Sequence, residues 1–165
     1  MASTLDVILR SVQANLVTVG ICTPSQSIIT LSLEPPPTAG TFLCFITPTD
    51  FGSVVIQNDG AGRWASGMRG AFRVHVVTEN MQDIAYQDAQ FITNATLGIM
   101  WKVNQVINAM QDYFPLDGSG AILTEEPIRL TQIGSPRRYG QAYNWGGVPL
   151  NFEVTLAQNL TLPGP

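Results

Sequence analysis

Lysine is almost missing from this chain: Lys102 is the only one among eight basic residues. Charge of either sign is scarce, at 12% of residues against roughly 25% in ordinary soluble domains. Asn, Gln, Ser and Thr take over solvation. The lysine head is flexible and strongly hydrated, so it is the charge most depleted from protein interfaces. A surface short of it suits a subunit with much of its exterior covered; drift in genomic composition gives the same count. Two cysteines, Cys22 and Cys44, are too few and too far apart in sequence for a zinc site or a CxxC redox pair, and Cys44 reads as a small buried hydrophobe. One histidine, His75, leaves Ser-His-Asp chemistry a single candidate, and no G-x-S-x-G elbow accompanies it. No apolar run reaches the eighteen or so residues of a membrane span, and the start lacks a basic segment leading into an apolar one. A net charge of -4 and a pI near 4.7 argue against a dedicated nucleic-acid binder, whose affinity comes largely from phosphates neutralised by Lys and Arg.

What is present is a core. At 165 residues with 45% hydrophobic content, the chain fits one domain spanning 1–165. Leu5, Leu9, Val12 and Leu16 recur at helical spacing behind Thr4 and Asp6, and Gly20 closes this first helix. Ser27 to Leu33 reads as a strand, followed by the extended Pro35-Pro36-Pro37 segment. Thr41 to Thr47 and Ser53 to Gln57 read as two strands with a turn at Pro48. Residues 58–70 carry four glycines with Arg63, Trp64, Met68 and Arg69 among them, a long hairpin arm or a mobile loop.

The stretch from Arg69 to Ala157 is the most informative. Phe72, Val74 and Val76 alternate along one strand, and Leu150, Phe152, Val154 and Leu156 along the last, so two apolar faces need covering. The helical region between them supplies the cover. It comprises Asp83 to Ile92 and a longer helix from Asn94 or Thr96 to about Tyr113, with Leu97, Trp101, Ile107, Met110 and Phe114 near one face. Pro115 ends it, Pro127 to Ile133 adds a strand, and 160–165 is a loosely held tail. The fold class is therefore α+β: a mixed, mainly antiparallel sheet packed against helices, with an inserted hairpin or loop.

Chemistry-bearing patterns are absent. Asp112 and Asp117 lack the alternate oxygen ligands of a calcium loop, and the glycine pairs lack the Lys-Ser/Thr ending of a phosphate loop. The reading is no catalytic residue, no metal and no cofactor. One cluster is dense in interface-type side chains: Arg137, Arg138, Tyr139, Tyr143 and Trp145. With Arg63, Trp64 and Arg69 these are the candidate protein-contact residues. The alternative is that Trp145 caps the core and the arginines face water.

The order of elements resembles the phage tail terminator family. The first helix, the insertion at 58–70, the strand Ala71-Phe72-Arg73-Val74-His75-Val76-Val77, the helical layer, the loop Pro136-Arg137-Arg138-Tyr139 through Trp145-Gly146-Gly147 and the strand Leu150-Asn151-Phe152-Glu153-Val154-Thr155 carry the resemblance. It implies a virion protein made in the host cytoplasm: a hexameric homo-oligomeric ring on the tail tube protein, joined to a head-tail connector or adaptor. Genomic DNA would pass through the lumen without specific binding, and no membrane would be involved. Two alternatives stay open, another neck or connector protein and a monomeric small-ligand-binding α+β domain.

Overall fold

A computed structural model of the chain describes residues 4–35, 42–58, 64–79, 98–140 and 145–161. Helix α1 spans Thr4–Thr18, strand β1 Ser27–Ile29, β2 Phe42–Asn58, β3 Trp64–Glu79, helix α2 Ile99–Met110, and strands β4, β5 and β6 Arg129–Ile133, Arg137–Tyr139 and Trp145–Thr161. The strands form one sheet in the order β1-β2-β3-β6-β4, with β5 also on β6. Only β1 with β2 is parallel among these pairs. The α+β expectation holds in this form.

The two alternating segments are neighbours in one sheet. Phe72 lies opposite Phe152 and Val74 opposite Leu150, with the two phenyl rings stacked at 5.4 Å. Their apolar sets thus make a single continuous face, correcting the expectation of two. Against it lie Leu5, Ile8, Leu9, Val12 and Leu16 of α1 and Ile99, Val103, Val106 and Met110 of α2. Burying each such side chain contributes about 1.5–3 kcal/mol. Gly20, at φ 77°, releases the chain from α1 in a conformation that glycine adopts without strain.

The buried stripe of α2 differs from the expected one. Trp101 is 37% exposed, while Ile99, Val103 and Val106 face the sheet. Ile99, Val103, Val106 and Met110 follow i, i+4, i+7, i+11 spacing, whereas at about 100° per residue Trp101 points roughly away from Ile99, among Asn104, Gln105 and Asn108. The slimmer branched side chains fit against the sheet. Trp101 and Phe42 instead flank the Lys102 ammonium, with ring centroids 5.0 and 4.7 Å away.

Pro48 does not make a turn. Strand β2 runs through it, with register irregularities between Pro48 and Asp50 and between Asp50 and Ser53. The β1 pairing ends at Ile29 opposite Ile46, so among the described residues no strand pairs with Pro48 on that side, and beside the bulge its missing N–H costs no ladder bond there. Beyond the bulge β2 pairs with β3 as far as Asn58 opposite Trp64. Residues 64–70 are thus the β3 side of a hairpin arm, 59–63 lie outside the described residues, and β6 extends alongside as far as Thr161 opposite Ala65. Strand β6 is longer than the expected 149–157 and takes in the start of the tail. The proline segment at 36–37, the helical stretch 83–92 and residues 162–165 lie outside the described residues.

Segments β4 and β5 form one interrupted edge along β6. At the break the Gly134 N–H donates to the Pro149 carbonyl at 2.8 Å, and a Cβ on Gly134 would come within 2.6 Å of the Pro149 ring. Only a residue without a side chain brings the edge this close.

Candidate interaction site

The sheet face turned away from the helices carries a second, smaller cluster: Leu43, Phe45, Val77, Tyr139 and Trp145. Alternation places His75 and Arg73 on this face, because Phe72, Val74 and Val76 take the other. The loop-borne part arrives on β5, where Arg137 lies opposite Gly147 and Tyr139 opposite Trp145. Gly147 makes this possible. A Cβ there would sit 2.5 Å from the Val76 carbonyl oxygen and 2.9 Å from the Tyr139 ring, so any other residue would displace the tyrosine.

A polar network results, centred on His75, which is 1% exposed. Tyr139 places its hydroxyl 2.9 Å from His75 Nδ1, its ring standing edge-on to the imidazole. Arg137 donates from Nε to the Tyr139 hydroxyl at 2.9 Å and approaches Nδ1 with Nη2 at 3.2 Å. Thr47 Oγ1 lies 3.3 Å from Nε2 on the far side. Guanidinium has no acceptor, so Nδ1 must be the bare nitrogen. The tyrosine proton therefore points to Nδ1 and the imidazole proton sits on Nε2, donated to Thr47. Burial, then the charges of Arg137 and Arg73, lower the His75 pKa from 6.5 to about 4, which keeps this neutral tautomer at physiological pH. Burial pushes the Tyr139 phenol up, against an opposing pull from Arg137.

Beside this network Arg73 donates from Nε to Asn151 Oδ1, and Asn151 Nδ2 donates to Gln132 Oε1 at 2.9 Å. A polar band thus crosses β3, β6 and β4. At the other end of β4, Arg129 pairs with Glu153 at 2.9 Å. This exposed pair is worth about 0–1 kcal/mol.

The proposed contact residues separate into distinct settings. Tyr139 and Trp145 are buried inside the chain, 4% and 8% exposed, so the second sheet face already uses their apolar area. Arg137 and Arg138 are exposed beside them on β5. Arg69 is exposed on β3 opposite Ser53 and Thr155, some distance along the sheet, and Trp64 opens β3 opposite Asn58. Arg63 and Tyr143 fall outside the described residues. Sequence reading missed His75, Arg73, Thr47, Asn151 and Gly147 as members of the site. The available signal was the period-two placement of Arg73, His75 and Val77 on one face. Among the described residues no group of three or more His, Cys, Asp or Glu gathers as a metal site, and no helix is long and apolar enough to cross a membrane.

The fold is similar to that of a chain in the solved virion of a native gene transfer agent particle. The identity is 15%, covering 94% of this chain and 98% of that one, with a TM-score of 0.53. At this identity the likeness is one of fold. A second solved chain, 18% identical over 93% of this chain and 96% of its own, has a TM-score of 0.47, too slight to argue from. No protein-family model matches the sequence, and no curated protein does.

Proposed function

We propose that this chain is a structural subunit of a phage-like virion, and within it the tail terminator. As a hexameric ring it caps the completed tail tube, joins it to the head connector and lets DNA pass through its lumen. The observation that carries this reading is the shared fold, over nearly the full length of both chains, with a component of a gene transfer agent virion. The element order seen in the sequence supports the narrower role.

Two physical features fit such a subunit. The arm of β2, β3 and β6 carries an outer β2 edge with no strand partner beyond Ile46 among the described residues, and open edges pair readily with other chains. A negative, lysine-poor protein also passes a polyanion without accumulating phosphate contacts. The action is mechanical, by shape and contact, without turnover.

Light scattering of the purified protein, alone and with isolated tail tubes, tests the reading. A ring near six times 17.9 kDa, formed free or on the tubes, is the expected result. A protein that stays monomeric, caps no tube and binds no head connector sinks it.

A further inference from the structure

Arg137 and Arg73 stand on either side of a neutral His75, and neither makes an ion pair with a carboxylate among the described residues. The Arg137 guanidinium is held in place: Nε is spent on Tyr139, Nη2 touches His75, and the group lies 5.3 Å from the centre of the Tyr139 ring. Guanidinium has five N–H donors, so donors remain for a further acceptor. Fixing the fork beforehand removes most of the ordering cost of gripping a carboxylate. The repulsion that both arginines exert on a protonated His75 shows the same surplus of positive charge.

The chain also carries exposed acids on another flank. Glu125 and Glu126 lie in the segment that meets the outer edge of β6, where the Glu125 N–H donates to the Thr155 carbonyl at 3.1 Å. Glu126 shares a groove with Arg69, Arg129 and Glu153, but the Arg129 guanidinium is committed to Glu153. Arg137 sits opposite Gly147 and Glu125 beside Thr155. Eight residues of β6 separate these positions, about 26 Å at the usual strand rise. Within one copy the two charges cannot meet.

We propose that Arg137, with Arg73 beside it, is a socket for the Glu125–Glu126 carboxylates of a second copy of this chain. The two surfaces differ and lie apart on one subunit, so the contact is heterologous and propagates from copy to copy until a ring closes. The inference rests on the assembly reading above and specifies one of its contacts. A partly desolvated pair of this kind, ordered in advance, contributes most to register and rate of association.

Sedimentation velocity on charge-reversed proteins tests it. Arg137→Glu alone, and Glu125→Arg with Glu126→Arg, should each raise the dissociation constant of the assembly at least tenfold. Mixing the two proteins should restore it, since both kinds of contact in an alternating ring are then attractive. High salt should weaken the wild-type assembly. If Arg137→Glu disturbs the His75 network and misfolds, the exposed glutamate variant must still lose assembly with an unchanged circular dichroism spectrum. Assembly indifferent to the glutamate reversals overturns the socket while leaving the assembly reading intact; a wild type monomeric with and without tail tubes overturns both. Tight binding of a short DNA duplex by wild type, lost in Arg137→Glu without loss of assembly, assigns the socket to phosphate and also overturns the proposal.

Discussion

At the scale of single residues, His75 has the clearest solution consequence. Its folded pKa, about 4, lies below the unfolded 6.5, so the unfolded chain binds the extra proton first as pH falls. Its contribution to stability is complete above pH 6.5 and lost progressively between 6.5 and 4. The loss amounts to at most about 2 kcal/mol, because the network opens to solvent on its arginine side and water screens the charges there. Urea unfolding measured from pH 7 to 4 should show this decline, and His75→Phe should flatten that part of the profile. An identical decline in the variant would assign the effect to the carboxylates. The arginine-tyrosine segment was legible in the sequence because it is dense in residues that seldom cluster. The place of His75 in the site was not legible, since what surrounds it comes from Thr47, Arg137 and Tyr139, distant along the chain.

Among elements, the connection between α1 and the end of α2 is polar as well as apolar. Ser11 and Tyr113 pair their hydroxyls at 2.7 Å, and Ser11 Oγ accepts the Leu116 N–H at 2.9 Å. Asn15 Nδ2 donates to the Ala109 carbonyl at 2.9 Å. This seam fixes how the two helices lie on the sheet while the apolar stripes supply most of the energy. Ser11→Ala strands the Leu116 N–H and should cost about 1–3 kcal/mol. Tyr113→Phe should cost less, about 1 kcal/mol, and the double variant less than the sum, because the two hydroxyls share one interaction. Chemical denaturation of the four proteins checks the cycle; strict additivity would mean the hydroxyls act independently. Helix α1 was legible from its spacing, whereas the buried side of α2 was misplaced. The large apolar Trp101 drew the expected stripe toward the polar side, although Ile99, Val103, Val106 and Met110 share the i, i+4, i+7, i+11 spacing of the face that the sheet covers.

For the whole molecule, the division between body and arm matters most. The helices and the two apolar clusters cover the sheet up to about Gly70, where a Cβ would already be 3.2 Å from Leu5 and 3.3 Å from Val154. Replacing residues 54–68 by an Asn-Gly turn should therefore leave a folded body with a cooperative unfolding transition. Assembly should be lost, as read by light scattering. Full assembly by the trimmed protein would move the contacts off the arm. The sequence alone determined the period-two strands, the first helix and the α+β class. Each of these follows from local backbone geometry and the spacing of apolar residues. Tertiary structure alone decided that β3 and β6 are neighbours, that Pro48 sits within a strand, and that Tyr139 and Trp145 are buried while Arg137 is held at the surface. These depend on pairings between residues far apart in the chain, and local periodicity carries no information about which strand lies beside which.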